Sequence, residues 1–216
     1  MEVVLMQKLL KENDELAQDN RAFFKEKGIL CVNVMGAPGS GKTTLIMALT
    51  DELKKRGLES MVLEGDLYSS LDAEAFEQKK VPAVQINTCG ECHLDAAVIR
   101  EGAEKLALRR GVLFIENVGN LICPAEFDLG EHVKLLASSV PEGDDKPFKY
   151  VPMFSYIDLV ALTKYDLKEA VGFDRENFEK GLRALSEASL FETAIRNGKD
   201  RGRGVELIAD FLIKSF

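Results

Sequence analysis

One eight-residue loop constrains the fold of this chain more than any other stretch. Residues 36–43 read GAPGSGKT and match the pattern G-x-x-x-x-G-K-S/T. An apolar run at 28–35 precedes the loop, and an amphipathic segment at 45–56 follows it. A loop of this kind joins a buried strand to a helix and cradles phosphates, so the chain must provide both elements around it.

Each residue type in the loop has a chemical role in binding a triphosphate. The three glycines allow backbone N–H groups to approach an anion closely. Lys42 places a positive charge beside the β- and γ-phosphates, and the hydroxyl of Thr43 suits Mg²⁺. We predict that Lys42 is also catalytic, because charge neutralisation drives phosphoryl transfer. The predicted triphosphate-binding residues are Gly36, Ala37, Pro38, Gly39, Ser40, Gly41, Lys42, Thr43 and Thr44.

Apolar strands alternate with helical patterns through the rest of the chain. After the first strand at 28–35, strands are predicted at 60–64, 83–87, 111–116, 133–140, 157–162 and 190–193. Helices are predicted at 93–110, 175–186 and 205–216. Such strands form a parallel sheet covered on both faces. We therefore predict a P-loop NTPase of the three-layer α/β/α class with a mainly parallel central sheet, formed by residues 28–216 as a single domain.

Residues 1–27 are predicted to be an N-terminal helical extension. Apolar residues recur there near helical spacing between charged ones, which predicts one or two amphipathic helices packed on the domain edge. Engagement of a partner is the alternative. The apolar positions are Val4, Leu5, Leu9, Leu16 and Phe23.

Charge and composition exclude several classes of protein. The formal charge of −8 argues against extended nucleic-acid contact, which needs a basic surface. No apolar run approaches the roughly 20 residues that span a bilayer, and the acidic N-terminus does not resemble a signal peptide. The four cysteines are therefore expected to be reduced thiols in the cytoplasm. Cys31, within the first strand, is predicted to be core, and His132 carries no partner pattern.

Two carboxylates fall at the ends of predicted strands. Asp66 and Glu116 are placed to reach Mg²⁺ beside Thr43, and the alternative is that they merely end their strands. Residues 116–119 resemble the D-x-x-G of nucleotide switches with Glu in the first position. We therefore expect the N–H of Gly119 to sense the γ-phosphate. Asp66, Glu116 and Gly119 are predicted to be catalytic, together with Lys42.

A possible base reader follows the sixth strand. The carboxylate of Asp166 can accept both the ring N–H and the exocyclic amine of guanine, while the stem of Lys164 lies along the base. This pattern predicts GTP. The usual first residue of such a signature is Asn, and Thr163 reaches less far. Thr193 and Ala194 follow the last strand and are expected to offer backbone contacts to the base.

Thiols and an imidazole form a candidate transition-metal site. Cys92 and His93 follow the third strand, and Cys123 lies four residues beyond Gly119. These ligand types suit Ni²⁺ or Zn²⁺. Three ligands leave a tetrahedral site open, which suits a metal that is released or shared across a dimer; Cys89 is a fourth candidate. Because Gly119 and Cys123 are at most roughly 14 Å apart, we hypothesise that nucleotide state changes metal affinity.

The motifs together resemble the HypB family, the GTPases that help insert nickel into NiFe hydrogenases. The resemblance covers most of the chain from residue 28 to residue 166. Its last three segments are specific rather than common to all P-loop proteins. The segments are GAPGSGKTTL at 36–45, EGD at 64–66, VPAVQINTCGECHLDAAVI at 81–99, LFIENVGNLICPAEFDLGE at 113–131 and SVPEGDDKPFKYVPMF at 139–154.

The resemblance implies a homodimer, favoured by GTP, whose interface holds metal through Cys92, His93 and Cys123. Lys146 would reach the nucleotide of the neighbouring subunit. The implied partners are a hydrogenase large-subunit precursor and a companion nickel-maturation protein, and the implied cofactors are GTP, Mg²⁺ and Ni²⁺ or Zn²⁺. Cys89 departs from the family pattern, in which another residue is more usual.

Three alternatives stay open. A urease-accessory nickel GTPase would be expected to show Cys-Pro-His as its metal motif. A small-molecule kinase would use the same phosphate loop but would not need the base reader or the thiols. A regulatory GTP switch would hold structural zinc. Asn120 stands where a water-orienting glutamine could follow Gly119, so we predict slow intrinsic GTP hydrolysis.

Overall fold

A seven-stranded parallel sheet forms the centre of the molecule. The computed structural model describes residues 2–66, 76, 79–88, 90, 92–106 and 110–216, with the side chains of residues 2–9 and 66 outside the description. The strands lie in the order β3-β2-β4-β1-β5-β6-β7, and a separate antiparallel pair is formed by β8 and β9. The strands are β1 Ile29–Met35, β2 Ser60–Asp66, β3 Ala83–Asn87, β4 Gly111–Glu116, β5 Val133–Ser139, β6 Leu159–Thr163, β7 Ser189–Glu192, β8 Ile195–Arg196 and β9 Lys199–Asp200.

Helices cover both faces of the sheet. On one face, α2 and α8 pack against β1, β4 and β5. On the other face, α1 and α3 cover one half of the sheet and α7 covers the other half. This arrangement confirms the predicted three-layer α/β/α fold. The helices are α1 Glu2–Glu26, α2 Lys42–Lys55, α3 Ala96–Lys105, α4 Lys146–Lys149, α5 Val151–Ser155, α6 Lys168–Val171, α7 Arg175–Arg183 and α8 Gly204–Lys214.

The central strand β1 explains why the phosphate loop is held firmly. All seven of its residues are buried, and it pairs with β4 on one side and β5 on the other. Because all seven strands are parallel, their carboxyl ends meet at one edge of the sheet, where α/β proteins bind ligands. The predicted site residues follow these strand ends.

The helix predicted at 93–110 begins later and ends earlier than expected. The side chain of Asp95 accepts a hydrogen bond from the N–H of Val98 and caps α3, which begins at Ala96. An aspartate in this position satisfies one of the free N–H groups of the first helical turn. Cys92 and His93 therefore lie in a loop rather than on the helix.

The N-terminal segment is one continuous helix, and its packed face agrees with the predicted one only in part: Phe23 packs against the core, and the side chains of Val4, Leu5 and Leu9 lie outside the described residues. Leu16 is 44% exposed, so its assignment to the packed face is wrong. The packed face presents Asn13, Ala17, Asn20 and Phe24, which are at most 7% exposed. Two of these four residues are polar, and apolar periodicity alone therefore does not identify them.

Within the described ranges, none of the helices combines the length and apolar character needed to cross a membrane.

Candidate nucleotide and metal sites

The phosphate loop adopts a conformation that only glycine accommodates at its first position. Gly36 has φ of 150°, and a Cβ there would lie 2.4 Å from the carbonyl oxygen of Ala137 and 2.6 Å from Ser40 Oγ. Gly41 has φ of 92° and immediately precedes α2. The loop therefore turns tightly and directs the N-terminus of α2 toward the space where an anion binds.

Lys42 points back across this loop. Its side chain is almost fully buried, and Nζ donates to the carbonyl oxygens of Gly36 and Ala37, at 3.2 Å each. A cavity of about 520 Å³ opens in front of the loop. Six of the nine predicted phosphate-binding residues line this cavity, whereas Gly36, Ala37 and Ser40 do not. The six are Pro38, Gly39, Gly41, Lys42, Thr43 and Thr44, and they share the cavity with Glu64, Glu116, Gly119 and Lys164.

Oxygen donors suited to Mg²⁺ line the same cavity. Thr43 Oγ1 donates to Glu116 Oε1 at 2.7 Å. Glu64 is paired in register with Glu116 across β2 and β4, and both residues are buried. One hydroxyl and two carboxylates are the hard ligands that Mg²⁺ prefers, so these residues fit the ion. The side chain of Asp66 lies outside the described residues.

Glu64 is absent from our predicted site, although a signal for it existed. Side chains two residues apart in a strand share one face of the sheet. The reasoning that selected Asp66 at the end of β2 therefore applied equally to Glu64.

The segment after β4 contacts the phosphate loop directly. A Cβ on Gly119 would lie 3.0 Å from Pro38 Cγ and 3.1 Å from Pro38 N. Asn117 is buried; its side chain donates to Asn33 Oδ1 at 3.2 Å and accepts from the N–H of Val118 at 2.9 Å. The position of Gly119 is therefore fixed from both sides, and a shift in the loop must move this segment.

The predicted base reader is tied to the phosphate loop. Thr163 Oγ1 donates to the carbonyl oxygen of Ser40 at 2.5 Å, and Lys164 Nζ donates to that of Gly39 at 2.7 Å. Lys164 adopts a left-handed conformation with φ of 55°. The shorter Thr163 thus has a definite role, because its hydroxyl joins the end of β6 to the loop.

Asp166 contacts a residue that sequence reasoning missed. Its Oδ2 accepts from Arg196 Nε at 2.9 Å and lies 2.6 Å from Arg196 Nη2. Arg196 belongs to the short strand β8, and no motif distinguishes it. The N–H groups of Thr193 and Ala194 donate to Leu162 O and Asp200 Oδ1, respectively.

The predicted metal ligands converge. The Sγ atoms of Cys92 and Cys123 are 2.9 Å apart, and Cys92 Sγ is 3.6 Å from His93 Nδ1. One ligand atom from each residue lies within 4.8 Å of the others. The ring of His93 stacks on Phe127, with centroids 3.8 Å apart. A cavity of about 650 Å³ separates this cluster from α1. Cys89 lies outside the described residues.

Asn120 joins the phosphate loop to the metal cluster. Its backbone forms an isolated bridge with Gly36. Its side chain donates to the carbonyl oxygen of Cys92 at 3.3 Å and accepts from the N–H of Ile122 at 2.9 Å. Since Ile122 precedes Cys123, one asparagine contacts both ligand-bearing segments and the loop.

Cys31 and His132 form a pair in the core. Cys31 is fully buried, as predicted, and burial raises the pKa of its thiol well above the usual value. The N–H of Cys31 donates to His132 Nδ1 at 3.0 Å. Burial lowers the pKa of His132, which keeps Nδ1 free to accept this bond. His132 therefore has a structural role that the sequence pattern did not indicate.

Lys146 is the first residue of α4. Its Nζ is 3.8 Å from Glu142 Oε2 and 4.8 Å from the centre of the Tyr150 ring. Contact with the nucleotide of another subunit stays a prediction.

The fold and the loop at its central strand define a P-loop nucleotide-binding protein. The family model described as the CobW/HypB/UreG nucleotide-binding domain matches residues 30–191. The chain is 43% identical over 202 residues to the hydrogenase maturation factor HypB of Azotobacter chroococcum mcd 1. The aligned region covers 93% of this chain and 66% of that protein. A probable hydrogenase maturation factor HypB of Methanocaldococcus jannaschii is 39% identical over 211 residues, with coverage of 96% and 92%. The chain therefore belongs to the HypB family.

Solved structures agree with this assignment. The crystal structure of HypB from Helicobacter pylori in complex with nickel superposes with a TM-score of 0.87 at 35% identity, covering 94% of each chain.

The present chain spans 66% of the length of the Azotobacter relative.

Proposed function

We propose that the protein is a Mg²⁺-dependent GTPase that couples GTP binding and hydrolysis to nickel insertion during maturation of NiFe hydrogenase. Membership of the HypB family and the nickel named for the Helicobacter pylori structure support the metal and the pathway. The position of Asp166 after β6 supports guanine.

One observation carries this proposal more than the others. Asn120 contacts Gly36 in the phosphate loop and the carbonyl oxygen of Cys92 in the metal cluster. A change at the γ-phosphate therefore has a short covalent and hydrogen-bonded route to the cysteines. A kinase that phosphorylates a small molecule would have no use for such a connection.

The residues around the cavity divide the work of hydrolysis. Lys42 and the loop N–H groups neutralise the charge that develops on the phosphates, while Gly119 places its N–H beside the γ-phosphate. Thr43 and Glu116, with Glu64 and Asp66 nearby, would hold Mg²⁺. The ion, when bound, supplies further charge neutralisation. Within the described residues, no arginine or glutamine follows Gly119 closely enough to orient water, so intrinsic turnover is slow.

The cargo and its partners follow from the same proposal. Cys92, His93 and Cys123 bind Ni²⁺, with Zn²⁺ as a competitor that suits the same ligands. Two subunits associate when GTP is bound, and Lys146 contacts the nucleotide of the neighbour. The hydrogenase large-subunit precursor and a companion nickel-maturation protein receive or supply the metal.

Phosphate release and nickel affinity test the proposal together. The purified protein is expected to release phosphate slowly from GTP, and not from ATP, without any acceptor molecule. Nickel affinity, measured by competition with a chelator, is expected to differ between the GDP-bound and GTP-analogue-bound forms. Cys92→Ser is expected to abolish nickel binding while leaving GTP hydrolysis intact. Equal nickel affinities in the two nucleotide states would refute the coupling.

A further inference from the structure

Two buried asparagines on α1 make four hydrogen bonds to the segments that follow the metal ligands. Asn13 Nδ2 donates to Asp128 O at 2.8 Å, and Asn13 Oδ1 accepts from Ala96 N at 2.9 Å. Asn20 Nδ2 donates to Ala96 O at 2.7 Å and to Leu129 O at 3.0 Å. Each asparagine therefore contacts both segments at once.

These contacts lie close along the chain to the thiols. Ala96 comes three residues after His93, and Leu129 comes six residues after Cys123. Arg21, also on α1, donates from Nη2 to both carboxylate oxygens of Asp128, at 2.7 and 2.8 Å. The helix therefore contacts both loops, which are also joined at the cluster by the Sγ contact of Cys92 with Cys123, by Asn120 and by the stacking of His93 on Phe127.

We propose that Asn13 and Asn20 are positioning residues of the metal site, which hold the Cys92–His93 loop and the Cys123 loop at ligand spacing. The inference rests on the proposed nickel function and deepens it. The N-terminal helix is then part of the metal site, although it contributes none of the three ligands. A ligand in the cavity between α1 and the cluster would act on the metal by disturbing these bonds.

The two asparagines do more than fill space. A buried amide costs free energy unless its hydrogen bonds are made, and a leucine at either position would remove a partner from backbone groups of both segments. Asn20 is 1% exposed and Asn13 is 7% exposed. Their four bonds are to backbone atoms of two segments, so what they specify is the separation of those segments.

The test uses Asn20→Leu and Asn13→Ala in the full chain, with Gln18→Leu as the control. Gln18 is exposed on the same helix, so its substitution changes helix composition and leaves the four bonds in place. Asn13 lines the cavity between α1 and the metal cluster, so water can replace its side chain. Asn13→Ala is therefore expected to disturb the fold less, and it serves as the test variant if Asn20→Leu does not fold. GDP affinity and thermal unfolding report the state of the fold.

Nickel affinity and the thiolate-to-nickel absorption band are the first readout. Both asparagine variants are expected to bind Ni²⁺ about tenfold or more weakly, as loss of the groups that orient metal ligands commonly does, and to show a changed band. GDP affinity is expected to stay at the wild-type value. Wild-type nickel affinity and an unchanged band in folded Asn13→Ala would overturn the proposal, even if its unfolding temperature were lower.

A trivalent arsenical gives a second readout that does not depend on nickel. Phenylarsine oxide bonds to both thiols of a close pair and releases water, so its rate of capture reports the separation of Cys92 and Cys123. Capture is expected to be slower in both asparagine variants than in the wild type and Gln18→Leu. If the wild type binds the arsenical but not nickel, the proposed nickel function is refuted. The capture rates of the variants then still test whether the asparagines position the two thiols. Equal capture rates in all four proteins would refute positioning.

Discussion

Replacing Asn120 by Ala should weaken the link between nucleotide state and nickel affinity. The change removes two hydrogen bonds, to the carbonyl oxygen of Cys92 and from the N–H of Ile122. It leaves the backbone bridge to Gly36 in place. A hydrogen bond of this kind contributes about 0.5–1.5 kcal/mol. Because water reaches this loop, we take the lower part of that range for the coupling, which corresponds to a factor of about two to five.

The assay measures the nickel dissociation constant of protein saturated with GDP or with a non-hydrolysable GTP analogue. The ratio of the two constants is the coupling factor, and in Asn120→Ala it should move toward one. Ile122→Ala is the matched control, because this side chain is 58% exposed and lies beside Cys123. A wild-type ratio in Asn120→Ala would show that the signal does not pass through this side chain.

Three further predictions follow from the site and the core. Asp166→Asn replaces one carboxylate oxygen, an acceptor, by an amide donor, so GDP affinity should fall about tenfold or more and the affinity for xanthosine diphosphate should rise. If a competition assay shows the wild-type preference for GDP over xanthosine diphosphate in this variant, the assignment of Asp166 to the base is contradicted. Gly119→Ala places a Cβ 3.0 Å from Pro38 Cγ, so the segment must shift and GTP turnover should fall about tenfold. The reason is that misplacement of reacting groups by about 1 Å can reduce a rate 10²-fold. Phosphate release at saturating GTP measures the turnover, and a wild-type value would refute the prediction. The pKa of His132 is lowered by burial from 6.5, so its contribution to stability is complete above that value and is lost as pH falls through the lowered pKa. Unfolding temperatures between about pH 8 and 5 should therefore fall further in the wild type than in His132→Asn, and parallel curves would contradict the role given to its bond with Cys31.

The sheet and the phosphate loop could be predicted because their signals are local. Strands buried on both faces need near-continuous apolar runs; β4 shows one from Val112 to Ile115, and the run of β1 contains one polar residue, Asn33. The loop needs glycines at fixed spacing, which the sequence displays directly. Parallel pairing then places the strand ends together, so Glu116 and the residues after β6 were predicted near the loop without any knowledge of contacts.

The connections between these parts depend on contacts that are distant in the sequence. Asn20 and Leu129 are 109 residues apart, and no pattern links them. The polar part of the packed face of α1 was missed because an asparagine whose amide is hydrogen-bonded can be buried as completely as leucine. Arg196 was missed for a similar reason, since its contact with Asp166 arises from the β8–β9 turn and not from a motif.

The contact between Arg196 and Asp166 has a consequence for the proposed binding of guanine. A guanidinium offers neighbouring N–H donors to a carboxylate, and so does the edge of guanine. Arg196 therefore offers Asp166 the same kind of paired N–H donors as the base would. Under the proposed guanine specificity, a bound nucleotide would replace the donors of Arg196 at Asp166. A preference for guanine would then be the difference in free energy between two partners of the same carboxylate.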